Sequence, residues 1–243
     1  MHKVPEALVD TITLGIAKGE NAGPFKDALA AHKRGDYATV LSVLRPLAAQ
    51  GDARGQYYLG DMYYSGLGVP QDYNEAARLY RLAATQGIAY AQYTLGLMYR
   101  YGQGAPHDYK EAVRFFGLAA AQGHAYAQFC LGFVYRVALG VPQDHKEAVR
   151  WYRLAAAQGD ARAQNNLGHM YSNGIGVPQN YVRAHMWYNL SASSVSAEDG
   201  TLAVAQIAIE YRNEITAKMT PAQLEQAQEM ARKCKESNFK NCD

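Results

Sequence analysis

The residues of this chain recur with helical spacing, and the helical pattern itself returns at a fixed interval. Within residues 53–64, positions 53, 56, 59, 60 and 63 are separated by three, three, one and three residues, which places them on one face of a helix. The pattern repeats every 36 residues in four adjoining copies, which begin at Gln50, Gln86, Gln122 and Gln158. A fixed period of this size predicts a protein built from stacked helical units.

Each copy contains start and stop signals for two helices. The first, helix A, is predicted to run from Ala53 to Tyr64 in copy one and to stop at the glycines and proline of residues 66–70. The second, helix B, is predicted to begin after Asp72, with Glu75 at capping-box spacing. The same capping position holds Asp108, Asp144 and Asn180 in the later copies.

Two positions in the helix A segments carry specific expectations. Gly60 lies inside helix A, where glycine costs about 1 kcal/mol relative to alanine, so we expect a neighbouring helix to approach closely there. Ala138 replaces the glycine that ends helix A in the other three copies. We therefore expect an altered turn between helices A and B in the third copy, without loss of the unit.

One helix pair cannot bury both of its apolar faces, whereas stacked pairs can. The predicted fold is therefore all-α, a right-handed α-solenoid of helix-turn-helix repeats. We divide the chain into an N-terminal arm (1–23) without a signal peptide, a degenerate capping repeat (24–49), four repeats (50–85, 86–121, 122–157 and 158–193) and a C-terminal region (194–243). The last region is predicted to contain helices at about 198–218 and at 221–235, the second begun by Thr220 and Pro221.

Three motifs identify the family that the repeats resemble. They are A-x-A-Q-x-x-L-G-x-M-Y at 161–171, G-x-G-V-P-Q-N-Y at 174–181 and E-A-V-R-W-Y-R-L-A-A at 147–156. Residues 50–193 resemble the Sel1-like repeats, which are relatives of the tetratricopeptide repeats. The resemblance implies a non-enzymatic scaffold that binds a protein or peptide partner, because the family supplies interaction scaffolds for many processes.

The variable positions of helices A are the candidate binding residues, because solenoids usually bind partners on the concave surface that these helices line. In the middle copies these positions hold aromatic, leucine and arginine side chains, which are common in binding hot spots. Tyr93, Phe129 and Phe133 are the predicted apolar anchors. The full predicted set is Arg54, Tyr57, Asp61, Tyr90, Tyr93, Leu97, Arg100, Tyr101, Tyr126, Phe129, Phe133, Arg136, Arg162 and His169.

Composition and motifs argue against several other classes of function. The net charge is only +2, so nucleic acid is not an expected partner, and no apolar run is long enough to span a membrane. The histidines are scattered without metal-ligand spacing, and the sequence contains no nucleophile elbow, Walker loop or zincin helix. We therefore expect no catalytic residue, no metal and no cofactor.

The three cysteines have different expected roles. Cys130 lies in helix A of the third copy and is expected to be an ordinary thiol. Cys234 and Cys242 flank a short terminal loop, which predicts either a disulfide that pins the tail or two reduced thiols at a frayed end. A disulfide would favour a periplasmic or exported protein, whereas the lack of a signal peptide favours a cytoplasmic one.

Several functions remain open from the sequence alone. The resemblance extends, in size and tail, to bacterial Sel1-repeat proteins that neutralise a toxic phospholipase effector of type VI secretion in the periplasm, which implies an immunity protein with a secreted toxin as its partner. The alternatives are a cytoplasmic assembly or signalling adaptor and, more remotely, a hydrolase of cell-wall or lactam substrates. The sequence leaves the oligomeric state open.

Overall fold

A computed structural model describes residues 24–194, 201–240 and 242. The predicted N-terminal arm and the first residues of the helix predicted at 198–218 lie outside that description. Within it the chain forms twelve α-helices and no strand. They are α1 (Pro24–Lys33), α2 (Tyr37–Ala49), α3 (Ala53–Ser65), α4 (Tyr73–Thr85), α5 (Ala89–Tyr101), α6 (Tyr109–Ala121), α7 (Ala125–Val137), α8 (His145–Ala156), α9 (Ala161–Asn173), α10 (Tyr181–Ser193), α11 (Thr201–Thr216) and α12 (Pro221–Glu236).

The described residues form two compact units, which divide between Ala119 and Ala120: unit 1 precedes this point in the chain and unit 2 follows it. In each unit, consecutive helices A and B pack as antiparallel pairs around an apolar core. The core of unit 1 is centred on buried side chains such as Leu44, Met62 and Tyr80. The core of unit 2 is centred on Leu167, Met170 and Trp187 and extends to the C-terminal helices.

The predicted helix starts are confirmed by the capping hydrogen bonds. The Asp72 carboxylate accepts from the backbone N–H groups of Asn74 and Glu75, at 2.9 and 3.1 Å. Equivalent bonds cap α6, α8 and α10, and Thr220 forms a complete capping box with Gln223. Glu75 itself pairs with Arg78 at 2.7 Å instead of reaching back to the cap, so the capping box predicted there is wrong.

The glycine inside each helix A is explained by a close approach, as predicted. A Cβ atom added to any of these glycines would lie 2.5–2.9 Å from an aromatic ring carbon of helix B in the same repeat. The rings belong to Tyr80, Phe116, Tyr152 and Tyr188, which pack onto Gly60, Gly96, Gly132 and Gly168. The small residue thus lets a large buried ring lie flat against helix A.

The turn after α7 corrects the expectation for Ala138. Ala138 adopts the left-handed backbone conformation at φ 60°, close to the 68–69° of Gly66, Gly102 and Gly174. Its N–H donates to the Val134 carbonyl, as the glycines do to their own helices. The turn is therefore unaltered, and the alanine accepts the strain of a left-handed residue.

That strain gives a prediction. Left-handed backbone costs an L-residue roughly 1–2 kcal/mol, and glycine relieves most of this cost while gaining entropy in the unfolded chain. We expect Ala138→Gly to raise the free energy of unfolding by about 1 kcal/mol, measured as a higher urea midpoint. Ala125→Gly, at the first residue of α7, is the control and should lower the midpoint.

A ladder of glutamine side chains joins neighbouring repeats within each unit. The buried Gln128 donates to the Ala120 carbonyl at 3.2 Å, and its own carbonyl accepts from Gln158 at 2.8 Å. Gln56 and Gln86 form the same pair at 2.9 Å in unit 1. After the last repeat, Ser194 takes the place of the donor and bonds Gln164 at 3.3 Å. Gln56, Gln128 and Gln164 therefore each have partners in the segment before their repeat and in the segment after it.

The C-terminal tail is fixed to the core of unit 2. Cys234 at the end of α12 and Cys242 form a disulfide across a Cα–Cα distance of 4.7 Å. Within the loop they enclose, Asn238 and Phe239 are both left-handed, and Phe239 packs against the apolar core. Cys130 lies elsewhere in the unit and is buried.

Removing this disulfide should destabilise unit 2. The bonded residues are eight positions apart, and the chain-entropy model gives about 2.5 kcal/mol for a ring of that length. We expect the double variant Cys234→Ser/Cys242→Ser to unfold at lower urea concentration by that amount. A reductant should move the parent protein to the same midpoint and leave the variant unchanged, and equal midpoints for all samples would contradict the prediction.

Candidate protein-binding surface

The predicted binding residues recur as one stripe along each helix A. The stripe occupies residues 54, 57, 61 and 64 of α3, and the spacing of three, four and three returns in α5, α7 and α9. Side chains at this spacing lie along one face of a helix. The two units differ in how much of the stripe is exposed.

In unit 1 much of the stripe belongs to the core. Tyr57 and Asp61 are each 4% exposed, and Leu97 is 8% exposed. This burial corrects their assignment as surface residues, because a partner cannot reach them while the unit is folded. Tyr57 packs against the rings of Tyr58 and Tyr80, with centroids 5.2 and 5.9 Å away.

The other predicted residues of unit 1 are at least partly exposed. The Arg54 guanidinium lies 4.6 Å from the Phe25 ring centroid, and Arg100 lies 5.1 Å from the ring of Tyr101, which is 45% exposed. The Tyr93 ring lies 6.1 Å from that of Phe116, so it is partly engaged within its own repeat. Tyr90 is also half-buried.

Asp61 is electrostatically unusual. Its carboxyl accepts a 2.6 Å hydrogen bond from the Tyr80 hydroxyl. Burial raises the pKa of Asp61 to about 8, against smaller opposing effects of the neighbouring Tyr80 and Tyr57 hydroxyls. At neutral pH the group is therefore mostly protonated, and the stripe of α3 carries no negative charge there.

In unit 2 the stripe stays accessible and its members contact one another across α7 and α9. The Arg162 guanidinium lies 4.8 Å from the Tyr126 ring centroid and 4.4 Å from that of Phe129. It also donates to the buried Asp160 carboxylate at 2.6 Å. Arg162 is therefore held between a buried anion and two rings, while 34% of its side chain remains exposed.

Arg136 lies near two further members of the stripe, Phe133 and His169. The Arg136 guanidinium lies 5.4 Å from the Phe133 ring centroid. Burial lowers the pKa of His169, and the charge of Arg136 lowers it further, which favours the neutral imidazole. Burial raises the pKa of Tyr152 to about 12, although Arg136 acts in the opposite direction. We call this set the unit-2 stripe: Tyr126, Phe129, Phe133, Arg136, Arg162 and His169.

Sequence reasoning missed one residue that supports the stripe, Asp160. Asp160 caps α9 and orients Arg162, a double role that its capping position alone does not reveal. Asn165 lies between Arg162 and His169 on α9, and its side-chain oxygen is buried without a hydrogen-bond partner. The pairing of Arg162 with rings from the preceding repeat depends on stacking, which no single repeat encodes.

The described residues offer few other kinds of site. Among them, no group of three or more histidine, cysteine or carboxylate side chains is placed to hold a metal ion. No helix in the described part of the chain is both long and apolar enough to cross a membrane.

Comparison with known families decides what kind of repeat this is. A profile of the Sel1 repeat matches residues 53–88, 89–124, 125–160 and 161–194, which together make up more than half of the chain. The chain belongs to the Sel1 repeat family. Sel1 repeats mediate protein interactions, and each matched segment here contains one helix A, one helix B and the turn between them.

Solved structures show the same architecture. A Sel1 repeat protein from Oxalobacter formigenes is 28% identical over 85% of this chain and 98% of its own length, with a TM-score of 0.67. The protective antigen c5321 of uropathogenic Escherichia coli, described as having an SLR fold, is 29% identical with a TM-score of 0.67. The alignment with the antigen covers 94% of the present chain and 57% of the antigen.

Two further comparisons add nothing on function. The immunity protein Pa5087 from Pseudomonas aeruginosa is 20% identical over 89% of this chain and 84% of its own, with a TM-score of 0.44, a likeness too low to bear on a role. No protein of curated function matches the sequence.

Proposed function

We propose that this Sel1 repeat protein is a non-enzymatic adaptor that binds a protein or peptide partner through the unit-2 stripe. The observation that carries the proposal is the fixed position of Arg162. A buried carboxylate and two aromatic rings hold its side chain in one orientation on a half-exposed surface. Ordered arginine and aromatic side chains lose little entropy on binding, which is why they dominate binding hot spots.

Affinity capture with matched variants tests the proposal. Tyr126 is 37% exposed, so Tyr126→Ala should leave the melting temperature within a few degrees of the parent. Truncating an aromatic anchor typically weakens binding by about 2 kcal/mol, roughly thirtyfold. We expect Tyr126→Ala and Phe133→Ala to lose the partner that the parent protein captures from extracts of its native organism.

The matched control is Leu154→Ala. Leu154 is 41% exposed but lies on α8, a helix B, outside the stripe. It should capture the partner as well as the parent does. Loss of the partner with Leu154→Ala but not with the stripe variants would move the binding surface to helices B and overturn the proposal. Phe129→Ala is less informative, because that ring also packs against the core of unit 2.

For the partner itself we propose a secreted effector, with the protein acting as an immunity protein in the periplasm. Support comes from the resemblance in size and tail to Sel1-repeat proteins that neutralise a type VI phospholipase effector. The Cys234–Cys242 disulfide supports export, because structural disulfides persist in oxidising compartments. A cytoplasmic adaptor is the alternative.

Two measurements separate these alternatives. Protein taken from its native organism and unfolded without reductant should leave Cys234 and Cys242 protected from alkylation if it is exported. Co-expression should rescue cells that carry a phospholipase effector encoded beside this gene. Alkylation of both cysteines together with a cytoplasmic captured partner would favour the cytoplasmic adaptor.

A further inference from the structure

Charged side chains are distributed unequally between helices A and B. The helix B segments α4, α6 and α8 carry a glutamate three residues before an arginine, and each pair is bonded at 2.5–2.8 Å. These arginines therefore have their carboxylate partners within the same helix. The pairs are Glu75–Arg78, Glu111–Arg114 and Glu147–Arg150.

In unit 2, the two helices of the stripe contain no acid of their own. Neither α7 nor α9 contains a single aspartate or glutamate within its bounds. The cap of α9 is Asp160, whose side chain is 2% exposed and is already engaged by Arg162. Of the two arginines in the unit-2 stripe, Arg136 thus has no carboxylate of its own among the described residues.

The surroundings of Arg136 make it a suitable receptor for an anion. It is half-buried beside Phe133, and its Nε atom is buried without a hydrogen-bond partner, so water screens the guanidinium less than at a fully exposed site. Its titratable neighbour His169 lies under the influence of the Arg136 charge, and an imidazole supplies no negative charge in either protonation state. A partially desolvated cation of this kind is stabilised by a carboxylate that pairs with the accessible part of its guanidinium.

We propose that the unit-2 stripe recognises an acidic peptide segment of the partner. A carboxylate of that segment pairs with Arg136, and an adjacent apolar side chain lies on Phe133 and Tyr126. The inference rests on the proposed function, because it names the chemistry of the segment that the same surface binds. Like-charged or neutral segments are disfavoured, since they would leave Arg136 without its counterion.

Degenerate peptide pools test this specificity. Three pools of labelled dodecapeptides share leucine, phenylalanine, serine and glycine and differ only in the remaining residues. The acidic pool also contains aspartate and glutamate, the amide pool asparagine and glutamine, and the basic pool lysine and arginine. On immobilised protein at 50 mM salt, we expect the acidic pool to be retained at least tenfold more than the amide pool. The ratio should shrink at 500 mM salt, because ions screen a partly exposed pair.

Matched arginine variants locate the effect. Arg136→Gln should lower retention of the acidic pool at least fivefold and leave that of the amide pool unchanged. Arg150→Gln, which removes an arginine that also stacks on a ring, with its guanidinium 4.2 Å from the Trp151 centroid, should change neither. Equal effects of the two variants would show a general loss of positive charge and overturn the inference.

The outcomes also separate this inference from the proposed function. If the captured partner still depends on Tyr126 and Phe133 while the acidic and amide pools bind equally, the surface is correct and only the acidic specificity is wrong. If the stripe variants capture the partner as well as the parent does, the proposed function itself fails. Preference for the basic pool would likewise overturn the acidic specificity.

Discussion

Replacing Asp61 by asparagine should stabilise the protein by an amount that grows with pH. The unfolded aspartate loses its proton near pH 4, whereas burial keeps the folded pKa at about 8. Between those values the unfolded state binds fewer protons than the folded state, so the parent loses stability as pH rises, by about 1.4 kcal/mol per pH unit. Asparagine does not ionise, and its amide can still accept the Tyr80 hydrogen bond.

The measurement is the difference in free energy of unfolding between Asp61→Asn and the parent, from urea titrations at several pH values. From pH 5 to pH 7.5 this difference should increase by about 3 kcal/mol in favour of the variant. Asp144→Asn is the control, because asparagine is an equally good helix cap and Asp144 is exposed. A difference that does not change with pH would mean that the Asp61 carboxyl is ionised in the folded protein.

Gly104→Ala should be among the most destabilising single substitutions in unit 1. Gly104 has φ +64°, and a Cβ atom there would overlap the backbone carbonyl of Tyr73 at the start of α4. A backbone atom cannot turn aside as a side chain can, so the loop between α5 and α6 would have to move off α4. Left-handed strain of roughly 1–2 kcal/mol and overpacking of about 1–3 kcal/mol together predict a loss of about 4 kcal/mol.

The difference between Gly104→Ala and Gly102→Ala isolates the steric part of that loss. Gly102 has φ +68°, but the nearest atom to an added Cβ lies 3.5 Å away, in His107. We expect it to lower the free energy of unfolding by only about 1 kcal/mol, the strain term alone. Similar losses for the two variants would show that the loop has room at Gly104 and that packing against α4 contributes little.

The sequence predicted well those features that depend on residues close together in the chain. Asp72 and Thr220 cap helices through backbone groups two or three residues away, so their spacing alone revealed the helix starts. The same local reasoning gave the wrong result at Ala138, because a strain of one or two kcal/mol is small beside the packing of a whole repeat. Copies of a repeat impose their geometry on an unfavourable residue.

The candidate surface was less predictable because its details depend on contacts between repeats. Asp61 looked like a surface residue by its chemistry, and its partner Tyr80 is 19 positions away on the next helix. The fixed position of Arg162 depends on two rings from the preceding repeat. Helical periodicity identified the face on which these side chains lie, but not which members the neighbouring repeats bury.

The glutamine ladder has a consequence for how such a chain can change in length during evolution. An interior repeat both receives and supplies the same side-chain hydrogen bonds, as Gln128 does with Ala120 and Gln158. Duplication of such an interior copy would therefore leave its glutamine bonds matched on both sides. Insertion of a new copy directly after the last repeat would instead separate Ser194 from Gln164. New copies are thus expected to arise between existing ones, with the terminal segments kept.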